Sequence, residues 1–196
     1  GKLKKEILFS TYICHPSMAN NELSGPVIAL YLSKFLKKKK RKYSYRIIFS
    51  SETIGSIAYI KRNLIKLKKN LLAGYILTCV GDERCFSFMP SKEGNTTSDR
   101  YALSVFKKIK KKKVFYSWLD RASDERQYCA PGIDLPVCSI MRSKYGSYKE
   151  YHTSLDTIGS VVTAKGLKES FQIYKTIINN FEKSFFPKSK HRCEPF

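Results

Sequence analysis

The sequence predicts an α/β domain of three layers, a mostly parallel mixed sheet with helices on both faces, and three observations carry that expectation. Short apolar runs alternate with segments of helical periodicity along the whole chain. The apolar runs are continuous rather than alternating, as in strands buried on both faces. The length of 196 residues with 42% hydrophobic content suits one globular domain spanning residues 1–196.

The first predicted strand is Ile7-Leu8-Phe9-Ser10-Thr11-Tyr12-Ile13, followed by the segment from Cys14 to Gly25 and a helix from about Ser24 to Leu36. Arg46 to Ser51 is a second strand, and Glu52 opens a helix that runs to Lys69. Leu71 to Val80 reads as a third strand ending at Gly81-Asp82. Cys85 to Met89 is expected to pair nearby. Ser98-Asp99 is expected to cap a helix to about Lys112. Val114 to Tyr116 and Leu135 to Ile140 are later strands, the second entered through Gly132 and Pro136. Ala164 to Glu182 closes the chain as an amphipathic helix, with Leu167, Phe171, Tyr174, Ile177, Ile178 and Phe181 on one face. No internal repeat is present.

The net charge of +21 raises nucleic acid as a partner, but its distribution disfavours one. Much of it lies in lysine runs, Lys37 to Lys42 and Lys107 to Lys113, which fall at the ends of predicted helices and suit the macrodipole there. No apolar stretch is long enough to span a bilayer, so no membrane partner is expected. The six cysteines form no CxxC pair, and Cys14, Cys79 and Cys138 lie in or beside apolar runs as small buried hydrophobes. This favours a reducing, cytoplasmic compartment. The ends at Gly1 and Phe196 suggest a piece of a longer protein cut at both sides.

Polar groups recur just beyond the strands: His15 after the first, Glu52 after the second, Asp82 after the third, Asp124 after the Trp118 region and His152 after the last. In open α/β sheets the crevice beyond the carboxyl ends of the strands is where ligands bind. Histidines with carboxylates are zinc ligands, and an open position on zinc activates water. His191, in a basic tail, is read as surface.

The segments His15-Pro16-Ser17-Met18-Ala19-Asn20-Asn21-Glu22-Leu23-Ser24-Gly25, Glu52-Thr53-Ile54-Gly55-Ser56, Gly81-Asp82, Ser123 to Tyr128 and Glu150 to Asp156 occur in the order found in the co-catalytic zinc exopeptidase clan. The chain resembles, more narrowly, the aminopeptidase-like domain proteins of polysaccharide biosynthesis loci. The Cys193-Glu194-Pro195 ending is similar to the point where that family continues into a C-terminal winged helix. The resemblance implies that His15, Asp82 and His152 are metal ligands and that Glu52 is the general base. Asn21 stands at the position of the clan's bridging aspartate, and Thr53 replaces the second carboxylate of its Glu-Glu pair.

A neutral amide is a poor bridge between two cations, so one zinc is expected, held by His15, His152 and either Glu22 or Asp82. Local charges are expected to keep Glu52 ionised near neutral pH. Asp124 is expected either to orient a ligand histidine or merely to cap a helix, and Tyr128 to lie near the substrate. Arg142 or Lys144, in loops with Arg126 and Tyr145 beside the crevice, would hold an anionic substrate group. The expected activity is zinc-dependent hydrolysis of an amide at the end of a peptide. Deacylation of a modified sugar and a noncatalytic metal-binding scaffold are the alternatives.

Overall fold

The computed structural model describes residues 1–184, so His191 and the Cys193-Glu194-Pro195 ending lie outside the described residues. Six strands form one sheet in the order β2-β1-β3-β6-β4-β5. They are β1 (Glu6–Tyr12), β2 (Ser44–Ser50), β3 (Leu71–Ile76), β4 (Phe86–Met89), β5 (Lys113–Phe115) and β6 (Val137–Met141). β2, β1, β3 and β6 run parallel to one another. β4 pairs antiparallel with β6 and parallel with β5, so the sheet is mixed as expected.

All seven residues of β1 are buried, because the strand is central and covered on both sides. Its alternation divides the core. Ile7 and Phe9 join Ile28, Leu32, Ala102, Phe106, Ile177 and Phe181, contributed by α1 (Ser24–Lys37), α3 (Thr97–Phe106) and α5 (Ala164–Lys183). Leu8 faces the other way, against Ile60 and Leu67 of α2 (Ile54–Asn70) and Tyr128 of α4 (Glu125–Tyr128). Both helical layers thus follow from the two-residue period of one strand. The Tyr174 hydroxyl of α5 donates to the Ile140 carbonyl at 2.5 Å, tying the closing helix to β6.

Several boundaries differ from the sequence expectation, those of β3 and α3 most of all, while α1 starts at Ser24 as expected. β3 ends at Ile76, because the chain then leaves the sheet through Cys79, whose φ is 50°, and its N–H groups turn to Asn20: Cys79 N–H to the Asn20 carbonyl at 3.1 Å and Gly81 N–H to Asn20 Oδ1 at 2.8 Å. α3 is capped at Thr96 rather than Ser98, with Asp99 completing a capping box, and it stops at Phe106. Beyond it, like charges at three- and four-residue spacing in Lys107 to Lys113 oppose another helical turn. α1 is preceded by a π-helical turn, Ala19–Leu23, that carries Asn20, Asn21 and Glu22 inward.

Gly25 lets α1 start hard against β3: a Cβ there would lie 2.2 Å from the Leu77 carbonyl oxygen and 2.4 Å from Thr11 Oγ1. Gly25→Ala is therefore expected to destabilise the fold by roughly 1–3 kcal/mol through overpacking. The check is a lower urea midpoint with an unchanged slope.

Candidate metal centre

The carboxyl ends of β1 and β2 deliver the site's first residues. Cys14 and His15 follow β1, and the Ile13 N–H bonds the Ser50 carbonyl of β2 at 2.9 Å, holding the two strand exits side by side. Glu52 follows β2. His152 arrives from the loop between β6 and α5, more than a hundred positions later in the chain. The structure nevertheless places the His15 and His152 ring centroids 4.8 Å apart.

A buried carboxylate makes that approach. Asp156, fully buried, accepts the Asn20 N–H on Oδ1 at 2.8 Å, and on Oδ2 the Asn21 N–H at 3.0 Å and the Tyr148 hydroxyl at 3.0 Å. It thereby joins the His152 loop to the turn after His15. His152 itself has φ of 57°, and its ring is stacked on Tyr151 at 3.9 Å and 16°. In the sequence Asp156 stands within the Glu150 to Asp156 segment with nothing to mark a role of its own. A carboxylate beside a histidine-bearing loop gives no hint of partners that lie so far back along the chain.

Glu22 is 3% exposed and engaged by three donors. Oε1 meets His15 Nδ1 at 3.0 Å and the Asn21 amide at 2.5 Å, and Oε2 accepts the Cys14 N–H at 2.8 Å. The arrangement is that of a carboxylate orienting a histidine, which leaves His15 Nε2 as the nitrogen with a lone pair to offer. Glu22 thus stands behind His15 instead of beside it as an alternative ligand. Asp82 is committed elsewhere. Its Oδ1 accepts from Arg84 N–H at 3.0 Å and the Ser143 hydroxyl at 2.9 Å, and its Oδ2 from Asn20 Nδ2 at 3.2 Å and Ser143 N–H at 2.8 Å. With four donors on two oxygens it fixes the loop after β6 and has no oxygen to spare for a cation. Because β3 ends early, Leu77 and Thr78 already lie beyond it, and the Thr78 hydroxyl is bonded to Tyr12 at 2.6 Å and to the Asn21 carbonyl at 3.2 Å.

The ligand types that do meet are Cys14, His15 and Glu52, whose donor atoms lie within 4.8 Å of one another. Cys14 is exposed rather than buried, since β1 stops at Tyr12 and the cysteine falls beyond the sheet. Glu52 is half-buried, and its Oε1 accepts the Ser123 hydroxyl at 3.0 Å. Burial raises its pKa above the ordinary carboxylate range and the Glu22 charge adds to that, against the lowering effects of Ser123 and His15. Burial and the Glu22 charge thus oppose ionisation of Glu52, while Ser123 and His15 favour it.

The remaining expected site residues lie around the cluster or away from it. Among the described residues Asp124 bonds no histidine: its Oδ1 accepts the Thr53 N–H at 2.8 Å and the Ser56 hydroxyl at 3.0 Å. It caps α2 and holds Thr53 at φ of 58°, a costly conformation for a β-branched residue. This fixes the backbone beside Glu52. Tyr128 is a core residue whose hydroxyl meets Ser10 Oγ at 3.0 Å, not a substrate contact. Arg142 is 0% exposed, stacked over Phe86 at 3.7 Å and paired with Glu169 of α5 at 2.9 Å, so it cannot receive a substrate anion in the crevice. Lys144 packs its ammonium against the rings of Tyr116 and Tyr145.

A family described as a domain of unknown function (DUF4910) matches residues 1–184. A Clostridium acetobutylicum protein, provisionally named for polysaccharide biosynthesis with an aminopeptidase-like domain, is 40% identical over the whole chain. The match covers 44% of that relative. A crystal structure from the same organism, provisionally described as a peptidase, superposes with a TM-score of 0.90 at 40% identity over 100% of this chain and 46% of its own. A zinc aminopeptidase of Bacillus subtilis shares the fold, with a TM-score of 0.76 at 18% identity over 93% of this chain and 48% of its own. The chain thus spans less than half the length of these relatives.

Burial lifts the Asp124 carboxyl to about 6, and Oδ2 has no partner among the described residues. Its folded pKa exceeds the unfolded value, so this group favours the fold while protonated, and that support is lost as pH rises from about 4 through about 6. Asp124→Asn keeps the acceptor for Thr53 and removes the titration. Denaturation from pH 4 to 7 should show the variant gaining roughly 1–3 kcal/mol relative to the natural chain across that window.

Proposed function

The chain belongs to the DUF4910 family, and we propose that it is a zinc-dependent hydrolase of the aminopeptidase type, cleaving the amide bond of a peptide's terminal residue. The observation that carries the proposal is the meeting of the His15 and His152 rings, with centroids 4.8 Å apart, together with the placing of His15 beside Glu52 at the carboxyl ends of β1 and β2.

The donor set fits one zinc ion. His15 is oriented through Nδ1 by Glu22, which leaves Nε2 to ligate, and the His152 ring is braced by Tyr151. A second ion fits poorly, because the Asn21 amide is spent donating to Glu22 and Thr53 offers no carboxylate. When bound, zinc supplies a Lewis acid that polarises a carbonyl and makes water a nucleophile near neutral pH.

The chain's own residues supply the remainder. Glu52 takes the proton of the attacking water and delivers it to the leaving amine, a role helped by a pKa moved upward from the carboxylate range. Ser123 holds one Glu52 oxygen, so the other is the one that faces the reaction. Asp124 fixes the strained backbone from which Glu52 projects. The free Cys14, Cys79, Cys85, Cys129 and Cys138 support a reducing, cytoplasmic setting. Among the described residues no helix is long and apolar enough to cross a membrane.

Two other readings draw on particular observations. The name of the Clostridium acetobutylicum relative favours an acylated sugar as substrate. The neutral Asn21 and Thr53 favour a scaffold that binds metal without turnover.

The natural chain should bind one zinc per molecule, and Glu52→Gln should keep that zinc while losing about 10²–10⁴-fold in turnover of an aminoacyl arylamide. Metal analysis and steady-state kinetics are the measurements. Turnover of N-acylated sugars alone would move the assignment to the deacylase. A zinc-loaded protein inactive on every amide and ester, and indifferent to Glu52→Gln, would leave the scaffold.

A further inference from the structure

We infer that the Cys14 thiolate is a direct ligand of the ion held by His15 and His152, making the centre a mixed sulfur and nitrogen site. The inference rests on the zinc reading above and concerns its ligand set.

Geometry supplies the first support. Cys14 Sγ lies within 4.8 Å of a His15 ring nitrogen and of a Glu52 carboxylate oxygen, the group of three potential ligand types found among the described residues; His152 is outside that group and joins it only through its ring, centred 4.8 Å from that of His15. Unlike Cys79, Cys129 and Cys138, which are buried, this thiol is exposed and free to turn toward an ion. Its backbone is already fixed. One carboxylate, Glu22, accepts the Cys14 N–H at 2.8 Å and meets His15 Nδ1 at 3.0 Å, so the two neighbours are positioned by a single buried anchor. Preorganisation of this kind lowers the entropy cost of ligation.

Charge supplies the second. A divalent cation next to two neutral imidazoles needs an anion. Asp82 has both oxygens saturated by Asn20, Arg84 and Ser143, Glu22 is engaged by three donors, and Asn21 and Thr53 are neutral. Of the anions close by, Glu52 must remain off the ion to act as a base. A thiolate fills the gap. Ligation transfers the thiol proton to solvent and forms the sulfur–metal bond, with no change of oxidation state. Two imidazoles and a thiolate leave the fourth tetrahedral position open, as a catalytic site requires, and the soft sulfur favours zinc over magnesium or calcium.

The test is cobalt(II) substitution of the whole chain, read by absorption. The natural chain is expected to show a near-ultraviolet thiolate-to-cobalt charge-transfer band together with the visible bands of a four-coordinate ion. Cys14→Ser should lose the first and keep the second, and should bind zinc at least about tenfold more weakly by competition with a chromophoric chelator. Visible cobalt bands that depend on His15 and His152 but lack the charge-transfer band in the natural chain would overturn the cysteine ligand and leave the zinc centre standing. Equal zinc affinity of the natural chain and Cys14→Ser would do the same. Failure of the natural chain to take up either metal would remove both. Because the band is read first on the natural chain, a poorly folded variant does not rescue the inference.

Discussion

The Asp156 carboxylate is the constraint from which the site follows. It is completely buried, and a charge so placed must be met by donors or be strongly disfavoured. Its donors are two backbone N–H groups of the turn after His15 and one tyrosine hydroxyl from its own loop. None of these can be withdrawn without leaving an uncompensated anion inside the protein. The loop carrying His152 is therefore docked onto the segment carrying His15. Asn20 extends the same junction, donating through its side chain to Asp82 and accepting from Gly81, so the exits of β1, β3 and β6 are bound together through one residue.

The layered fold was legible because it rests on local regularities. β1 reads as one apolar run since both of its faces are covered, and the 3.6-residue period of α5 survives its charged residues. Expected and observed strands overlap throughout, with differences at their ends. The aminopeptidase structures share that architecture. The site was legible only as a set of loop positions. That His15, Glu52 and His152 lie beyond strands can be read from sequence, but which oxygen of which carboxylate is free cannot.

Asp82 shows why. A carboxylate after an apolar run looks like a ligand, yet the run outlasts the strand, and the aspartate closes a hydrogen-bonded loop instead. Arg142 shows the same limit from the other side, because a single step beyond β6 turned its guanidinium away from the crevice and into contact with Phe86 and Glu169. Cys14, expected among the buried thiols, is exposed for the same reason, β1 being shorter than its apolar run. In each case the error lay in a strand's end, where hydrogen-bond supply from distant segments, not composition, decides the outcome. Asn21 and Thr53 were legible as departures from the two-metal pattern, and their surroundings give those departures a use. Each contributes an N–H to a buried carboxylate, Asp156 or Asp124, that shapes the site.

β1 and β2 carry the chain to the rim where His15 and Glu52 lie, and α1 and α2 carry it back. The lysine-rich turn between α1 and β2 consequently lies at the opposite rim of the sheet. Between that turn and the candidate site stands the depth of the sheet and its buried core. A tether, dye or affinity handle grafted at Lys38 to Lys40 would hold the molecule by that far rim, leaving the rim with His15 and Glu52 turned to solution.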